Sequence, residues 1–166
     1  MLLNPDRYWW LIPGSLLAAF LFQFWPLPQP LRAVAPDAIV LVTLYWTLRK
    51  PQLVSSGWAF VIGVLRDGIE ASPLGMHALA LVVVSYLVQL FYQRLRMFTV
   101  WQQALAVAGL CELYLLLGDW VHLLDPRSGT EPVLFLPALV TGLCWLPLSL
   151  LLRQLEEGSL RTPVRN

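Results

Sequence analysis

Charged residues are scarce in this sequence. Asp, Glu, Lys and Arg make up 13% of the 166 residues, whereas hydrophobic residues make up 58%. Water-soluble domains usually have about 25% charged and about 45–50% apolar residues, so the composition excludes that class. A net charge of +1, without a long basic run, gives no indication of nucleic-acid binding. With a mean hydropathy of +0.66, the chain is predicted to have a lipid bilayer as its solvent.

Cysteine is nearly absent as well, and so are the motifs of catalytic sites. Cys111 and Cys144 lie in apolar stretches without paired spacing, which favours buried small hydrophobic residues over disulfides or metal ligands. The sequence has no Gly-x-Ser-x-Gly motif, no glycine-rich phosphate loop, and no serine, histidine and carboxylate set in the order of an intramembrane protease. We therefore expect a protein that is not an enzyme and that has no cofactor or metal.

Long apolar segments are what the sequence has in abundance. Roughly 20 apolar residues cross the hydrocarbon layer, and charged residues separate the segments. Transmembrane spans are predicted at about 8–25, 35–48, 52–66, 75–93, 101–124 and 133–152, in a single transmembrane domain over 1–166. The predicted fold class is an all-α integral membrane protein with about six transmembrane helices. The second and third segments are short, which suggests burial among the others, little tilt or a locally thinned bilayer; whether they fully cross stays open.

Positive charges indicate the orientation of the chain. No small-residue cleavage site follows the first segment, so we expect it to be retained and not removed as a signal peptide. With a cytoplasmic N-terminus, one side of the membrane holds Arg7, Arg49, Lys50, Arg94, Arg96, Arg153, Arg161 and Arg165. The other side holds Arg32, Arg66 and Arg127. Because positive residues in short loops favour the cytoplasm, both termini are predicted to be cytoplasmic.

Ionisable residues inside apolar segments need a partner or a function. Glu112 lies near the middle of the fifth segment. It is either a proton relay or coupling carboxylate, or a glutamate that is protonated or hydrogen-bonded to Ser, Thr or Tyr of a neighbouring helix. Asp119, His122 and Asp125 form a stripe three residues apart, which could bind a divalent metal or titrate near neutral pH. No second helix has a compact ligand motif, which favours a hydrated helix end.

Charged residues, turn residues and a histidine are compressed between the third and fourth segments. They are Arg66, Asp67, Glu70, Pro73, Gly75 and His77. So little loop remains that the charges must be at least partly buried. Arg66 can be neutralised by Asp67 or Glu70, and Pro73 with Gly75 can form the turn. The segment is either a tightly capped outer hairpin or a binding surface for a partner or ligand, and the physical arguments do not separate the two.

Several short motifs occur in a distinctive order. They are Pro36-Asp37 before an apolar run ending Leu44-Tyr45-Trp46, then Gly63 and Asp67, then Ser72-Pro73-Leu74-Gly75-Met76-His77-Ala78-Leu79, Arg94-Leu95-Arg96 and Trp101-Gln102-Gln103. In length, order and spacing the chain resembles the bacterial rod shape-determining MreD family over nearly its whole length. The Ser-Pro-Leu-Gly-x-His-Ala-Leu string after an aspartate is the most specific part.

The resemblance implies a non-catalytic scaffold of the cell-wall elongation machinery in the bacterial inner membrane. Such a scaffold maintains rod shape by binding the single-span periplasmic protein MreC, and through it MreB and the peptidoglycan glycosyltransferase and transpeptidase. It also implies a fold like the substrate-binding subunits of energy-coupling-factor vitamin transporters, although a shared fold does not transfer function. The motif or partner-binding residues would be Pro36, Asp37, Ala59, Gly63, Asp67, Pro73, Gly75 and His77.

Two functional hypotheses follow. In the scaffold hypothesis, the small residues Ala59, Gly63, Ala104 and Ala108 form faces that bind a single-span partner helix or, in a homodimer, a second copy.

In the transport hypothesis, a small pocket captures a vitamin or an ion for an energy-coupling partner. Its lining would be Asp67, His77, Asp119 and His122. The sequence has no aromatic and polar cluster in a long outer loop that could close over a ligand, which favours the scaffold hypothesis.

Overall fold

The described part of the chain contains six helices. The computed structural model describes residues 10–26, 28, 35–123 and 135–161, and these ranges contain helices, turns and irregular segments. In chain order the helices are α1 Leu11–Gln23, α2 Ala38–Arg49, α3 Ser56–Glu70, α4 Met76–Met97, α5 Val100–Leu123 and α6 Phe135–Arg161. The predicted all-α class with six helices is confirmed.

Within the ranges that the structure describes, three helices are long and apolar enough to cross a membrane. They are α4, the part of α5 from Val100 to Gly118, and the part of α6 from Leu136 to Glu156. Helices α1 and α2 are apolar but have only 13 and 12 residues. At about 1.5 Å per residue, each is shorter than the hydrocarbon layer. The structure therefore supports a membrane protein in which short helices accompany longer ones.

Several helix boundaries differ from the predicted segments, among them the start of α3 and the end of α6. Helix α3 begins at Ser56 and not near 52, because residues 51–54 form a turn in which Leu53 and Val54 donate backbone hydrogen bonds to Lys50. Helix α6 continues to Arg161, beyond the predicted end at 152. Hydropathy marks where a segment stops being apolar, whereas the helix itself continues through residues that are good helix formers.

Helix α2 forms the centre of the structure. All residues from Ile39 to Leu48 are buried, so the helix is surrounded on every face by protein. Its buried Thr43 and Thr47 hydroxyls donate to the carbonyls of Ile39 and Thr43, four residues earlier, at 2.7 and 2.8 Å. Burial among the other helices agrees with the expectation for the second segment. Helix α3 differs, because many of its large apolar residues are exposed.

Small residues allow two pairs of helices to approach closely. A Cβ atom at Gly63 of α3 would lie 2.7 Å from the backbone nitrogen of Ala78 in α4. A Cβ atom at Gly142 of α6 would lie 2.6 Å from the Cβ of Ala108 and 3.0 Å from the carbonyl oxygen of Ala104 in α5. Side chains cannot be accommodated at either contact without a shift of the backbone.

The predicted small-residue faces therefore serve contacts within the chain. Ala59, Ala104 and Ala108 are buried, and Gly63 packs against the chain's own α4. The scaffold hypothesis predicts that these faces bind a partner helix or a second copy. The structure corrects this expectation, because the faces are already covered by neighbouring helices.

The helices alternate in direction. The end of α1 contacts the start of α2 through Gln23 and Ala38, and the start of α2 contacts the end of α3 through Asp37 and Arg66. The end of α3 contacts the start of α4 through Asp67. Thr141, near the start of α6, contacts the start of α2, and Glu156, near the end of α6, pairs with Arg49 at the end of α2. Consequently the start of α1 and the end of α6 lie at the same end of the bundle. We call the end with Asp37, Arg66 and Asp67 the network end, and the opposite end, with Arg49, the arginine end.

Candidate functional site

Asp67 organises the turn between α3 and α4. Its side chain is 0% exposed. Oδ2 accepts a hydrogen bond from the backbone N–H of Gly75 at 2.8 Å, and Oδ1 accepts from the backbone N–H of His77 at 3.0 Å and the hydroxyl of Ser72 at 3.1 Å. The ring Nδ1 of His77 lies 2.8 Å from the same oxygen. The first amides of α4 are thus capped by a carboxylate of the preceding helix.

The backbone of this turn requires an unusual conformation at two positions. Ala71, after the end of α3, has φ +52°, and Gly75, before the start of α4, has φ +99°. Glycine adopts the second conformation without strain, whereas a side chain there would be strained. Gly75 has no side chain with which to cap α4, which explains why Asp67 supplies the acceptor. The structure therefore contains the tightly capped hairpin that was one of the two interpretations of this segment.

Arg66 connects α3 to the start of α2. Its Nη1 lies 2.5 Å from Oδ2 of Asp37, and its Nε lies 2.9 Å from Oε1 of Glu70. The guanidinium carbon is 5.7 Å from the centre of the Tyr114 ring, within the range of a cation–π contact. The Arg66 side chain is only 9% exposed. The two carboxylates and the aromatic ring offset the free-energy cost of burying the positive charge of Arg66.

The start of α2 is held by several helices. Asp37 caps α2, because its Oδ1 accepts from the Val40 amide at 3.1 Å. The amides of Asp37 and Ala38 donate to Thr141 of α6 and to Gln23 of α1, at 3.3 and 3.1 Å.

His77 adds a further contact, because its Nε2 lies 3.5 Å from Oε2 of Glu70. We call this set the polar network; it comprises Gln23, Asp37, Arg66, Asp67, Glu70, His77, Tyr114 and Thr141. Every one of the six helices contributes to it.

A cavity of about 220 Å³ lies beside the polar network. Asp37, Arg66, Tyr114 and Thr141 are among the residues that line it. The Tyr114 hydroxyl is buried and has no hydrogen-bond partner among the described residues. The cavity is large enough for several water molecules or a small polar group. Its polar lining suits hydrogen bonding, and no group of three or more His, Cys, Asp or Glu residues in the described part of the chain could hold a metal ion.

The structure brings most of the predicted motif residues to the network end. Pro36 immediately precedes the helix cap Asp37, and the Pro73 carbonyl accepts from the Met76 amide at 3.1 Å in the turn before α4. Asp67, Gly75 and His77 share one set of hydrogen bonds. Asp67 and His77 do not line the cavity beside the network, contrary to the pocket of the transport hypothesis.

Other predicted polar residues stand apart from the network. Glu112 is one helical turn from Ala108 on α5, and its Oε2 is buried without a hydrogen-bond partner among the described residues. The expected partner for this oxygen on a neighbouring helix is therefore not seen in the described part of the chain. The side chains of Asp119 and His122, and the whole of Asp125, lie outside the described residues.

Sequence reasoning missed two partners within the network. It paired Arg66 with Asp67 or Glu70, whereas the structure pairs it with Glu70 and Asp37. Asp67 instead accepts hydrogen bonds from the backbone N–H groups of Gly75 and His77. The available signal was the Pro36-Asp37 motif at the start of α2, because a capping aspartate has a second carboxylate oxygen for another donor.

The fold and the site define a helical membrane protein in which buried polar groups join six helices at one end. Residues 6–155 match the model of the rod shape-determining protein MreD family. A relative from Haemophilus influenzae, the rod shape-determining protein MreD, is 33% identical over 149 residues, which cover 90% of this chain and 92% of the relative.

The chain therefore belongs to the MreD family, and its role is in determining rod shape. No solved structure matches the chain. The likeness to the substrate-binding subunits of energy-coupling-factor transporters is accordingly not confirmed.

Proposed function

We propose that the chain is a non-catalytic scaffold of the cell-wall elongation complex that binds MreC and thereby links peptidoglycan synthesis to MreB. The observation that carries the proposal is the family match over residues 6–155. The contacts of the charged motif residues support it, because Arg66 of α3 pairs with Asp37 at the start of α2, and Asp67 of α3 caps α4. Charged groups that join helices to one another keep the helices in a fixed arrangement, which is what a scaffold needs in order to present a defined surface.

We further propose that the protein lies in the bacterial inner membrane with both termini in the cytoplasm. Arg49, Arg94, Arg96 and Arg153 belong to the arginine end, where α2 and α4 end and α6 passes toward its C-terminus. Positive residues in short connections favour the cytoplasmic side. In this orientation the polar network faces the periplasmic side, where a periplasmic partner is within reach.

An apolar groove between α1 and α3 is the proposed seat of the transmembrane helix of MreC. The groove has a volume of about 460 Å³ and is lined almost entirely by apolar residues. Leu17 of α1, and Trp58 and Val61 of α3, line it and remain exposed. The lining on α1 runs from Ile12 to Phe20, about 12 Å at 1.5 Å per residue. A groove between two helices offers a third helix two flanks to pack against, and van der Waals packing is what drives helix association in lipid.

Co-purification of tagged full-length protein with MreC from a rod-shaped cell tests the proposal. Val61→Trp should fill the groove and reduce the amount of MreC recovered. Leu105→Trp is the matched control, because Leu105 is 73% exposed on α5 and does not line the groove. Recovery of MreC at the wild-type level with both variants would place the MreC contact elsewhere.

Cell shape provides the second measurement. Depletion of the protein should make rod-shaped cells round, and re-expression of the wild type or of Leu105→Trp should restore rods. If wild-type protein recovers no MreC under conditions that restore rods, the scaffold hypothesis is wrong.

A further inference from the structure

A second polar cavity, of about 290 Å³, opens at the arginine end. It lies between the end of α2, the turn from α4 to α5, and α6, and three arginines line it: Arg49, Arg96 and Arg153. These residues come from three different helices, so the fold brings their charges together. We call this space the arginine cavity.

Two of the three arginines have no ion-pair partner among the side chains that the structure describes. Arg49 is paired with Glu156 at 3.0 Å, and Glu156 also accepts from the Tyr45 hydroxyl at 3.2 Å. Arg96 and Arg153 have no ion-pair partner among the residues whose side chains the structure describes. The arginine cavity therefore has an excess of positive charge at its rim, even with Glu156 nearby.

A buried donor adjoins the same space. Trp145 lines the arginine cavity and is 1% exposed. Its indole Nε1 has no hydrogen-bond partner among the described residues. A buried N–H without an acceptor is unfavourable, so a ligand that brings an acceptor would relieve it. Helix α5 begins at Val100, which also lines the cavity, and a helix N-terminus favours anions.

The shape of the arginine cavity limits what can enter. The void below it, lined by Leu44, Val88 and Trp145 among others, has a volume of only about 10 Å³. That volume holds at most one water molecule, so an acyl chain cannot enter there. At the rim, Phe98 and Leu150 are exposed apolar residues. The arginine cavity thus combines basic side chains with an apolar edge.

We propose that the arginine cavity binds the phosphate headgroup of an anionic membrane phospholipid, with the acyl chains outside along Phe98 and Leu150. Arg96 and Arg153 bind the phosphate oxygens, since arginine donates two parallel hydrogen bonds to phosphate. Basic pockets between helices are suited to anionic headgroups at the cytoplasmic surface. The apolar rim favours a lipid over a soluble phosphate ester, which would gain nothing from it. This site is separate from the groove proposed for MreC.

Native mass spectrometry of the full chain in neutral detergent tests the proposal, with phosphatidylglycerol as the anionic probe and phosphatidylethanolamine, a zwitterion without net charge, as the comparison. The wild type should bind phosphatidylglycerol more tightly. Arg96→Gln with Arg153→Gln should weaken this binding by about 30-fold, as expected for the loss of two basic residues near an anionic headgroup. Lys50→Gln with Arg94→Gln is the matched control, because it removes the same net charge from residues that do not line the cavity.

Each other result would overturn the proposal. Equal binding of the two lipids, or equal weakening by the control pair, would mean that no specific headgroup site exists. Glycerol 3-phosphate serves as a water-soluble comparison. If it binds as tightly as phosphatidylglycerol, the ligand is a soluble phosphate and not a lipid.

Trp145→Phe keeps an aromatic ring and all charges. It should weaken the binding of phosphatidylglycerol severalfold, because it removes the N–H donor. Melting temperatures within a few degrees of the wild type are required of each variant, so that a misfolded protein is not mistaken for loss of the site.

Discussion

One carboxylate oxygen of Asp67 contacts His77 twice: the backbone N–H of His77 donates to it at 3.0 Å, and the ring Nδ1 lies 2.8 Å away. The same residue thus fixes both the start of α4 and the orientation of the imidazole. A side chain that only neutralised a charge would not need the backbone contact. The arrangement makes Asp67 primarily a cap that joins two helices.

Asp67→Asn should strongly destabilise the protein. The carboxylate of Asp67 accepts hydrogen bonds with both oxygens. The asparagine side chain has only one acceptor oxygen, so its NH₂ group would face the backbone N–H of Gly75 or His77. We expect a loss of about 2–3 kcal/mol, because a buried donor is left unsatisfied. Thermal unfolding in detergent, followed with a thiol-reactive dye that reports exposure of the buried Cys111, measures it.

Glu70→Gln is the control for Asp67→Asn. The Glu70 side chain is 26% exposed and does not cap α4, so its replacement should lower the melting temperature less. An unchanged melting temperature for Asp67→Asn would contradict the assignment of Asp67 as the cap.

Gly63→Ala should separate α3 from α4. The new methyl group would overlap the backbone of Ala78, and a backbone cannot move aside as a flexible side chain can. Overpacking of this kind costs about 1–3 kcal/mol or more. Gly68→Ala is the matched control in the same helix, because nothing lies within 4 Å of a Cβ there. If the two variants unfold at the same temperature, the close contact between α3 and α4 is not real.

Arg66→Gln should be more damaging than Arg94→Gln. Removal of Arg66 leaves Asp37 and Glu70 without their shared cation, and breaking one side of a buried ion pair costs about 3–5 kcal/mol. Arg94 is exposed and should tolerate the change. A double-mutant cycle with Asp37→Asn measures the coupling directly, and additive effects of the two substitutions would show that the pair does not interact.

Glu112→Gln should leave stability unchanged or raise it. The buried Oε2 has no hydrogen-bond partner among the described residues, and an uncharged amide is less unfavourable in lipid than a carboxylate. We therefore expect the variant to restore rod shape in depleted cells at the wild-type protein level. Round cells with normal amounts of a stable variant would instead favour the proton-relay interpretation.

Reporters fused to the two termini should appear on the same side of the membrane. The six helices alternate in direction, and the start of α1 and the end of α6 lie at the same end of the bundle. A fluorescent protein that matures only in the cytoplasm should be bright at either terminus, and alkaline phosphatase should be inactive at both. Opposite results at the two termini would contradict the proposed orientation, in which both termini are cytoplasmic.

The sequence predicted the number and order of the helices because charged residues separate the apolar segments. A capped hairpin that contains Asp67, Gly75 and His77 was one of the two interpretations that the sequence left open, since these residues are close along the chain. The pairing of Arg66 with Asp37, 29 residues apart, could not be predicted, because spacing along a chain does not reveal which helices become neighbours.

The same limit applies to the small residues. Ala104 and Ala108 indicate a close helix contact, but hydropathy cannot distinguish a contact within the chain from one with a partner. The structure identifies α6 as their neighbour through Gly142. Likewise, Glu156 lies beyond the last predicted span, so its pairing with Arg49 became visible only when α6 was seen to continue.

The central position of α2 has a consequence for biosynthesis. Helix α2 leaves the ribosome before α4, α5 and α6, so it meets acyl chains before the neighbours that later enclose it have been made. Its Thr43 and Thr47 hydroxyls bond within their own helix, and this makes the segment compatible with a lipid environment during insertion as well as with a protein environment afterwards. A hydroxyl that depended on a later helix would lack a hydrogen-bond partner until that helix was made.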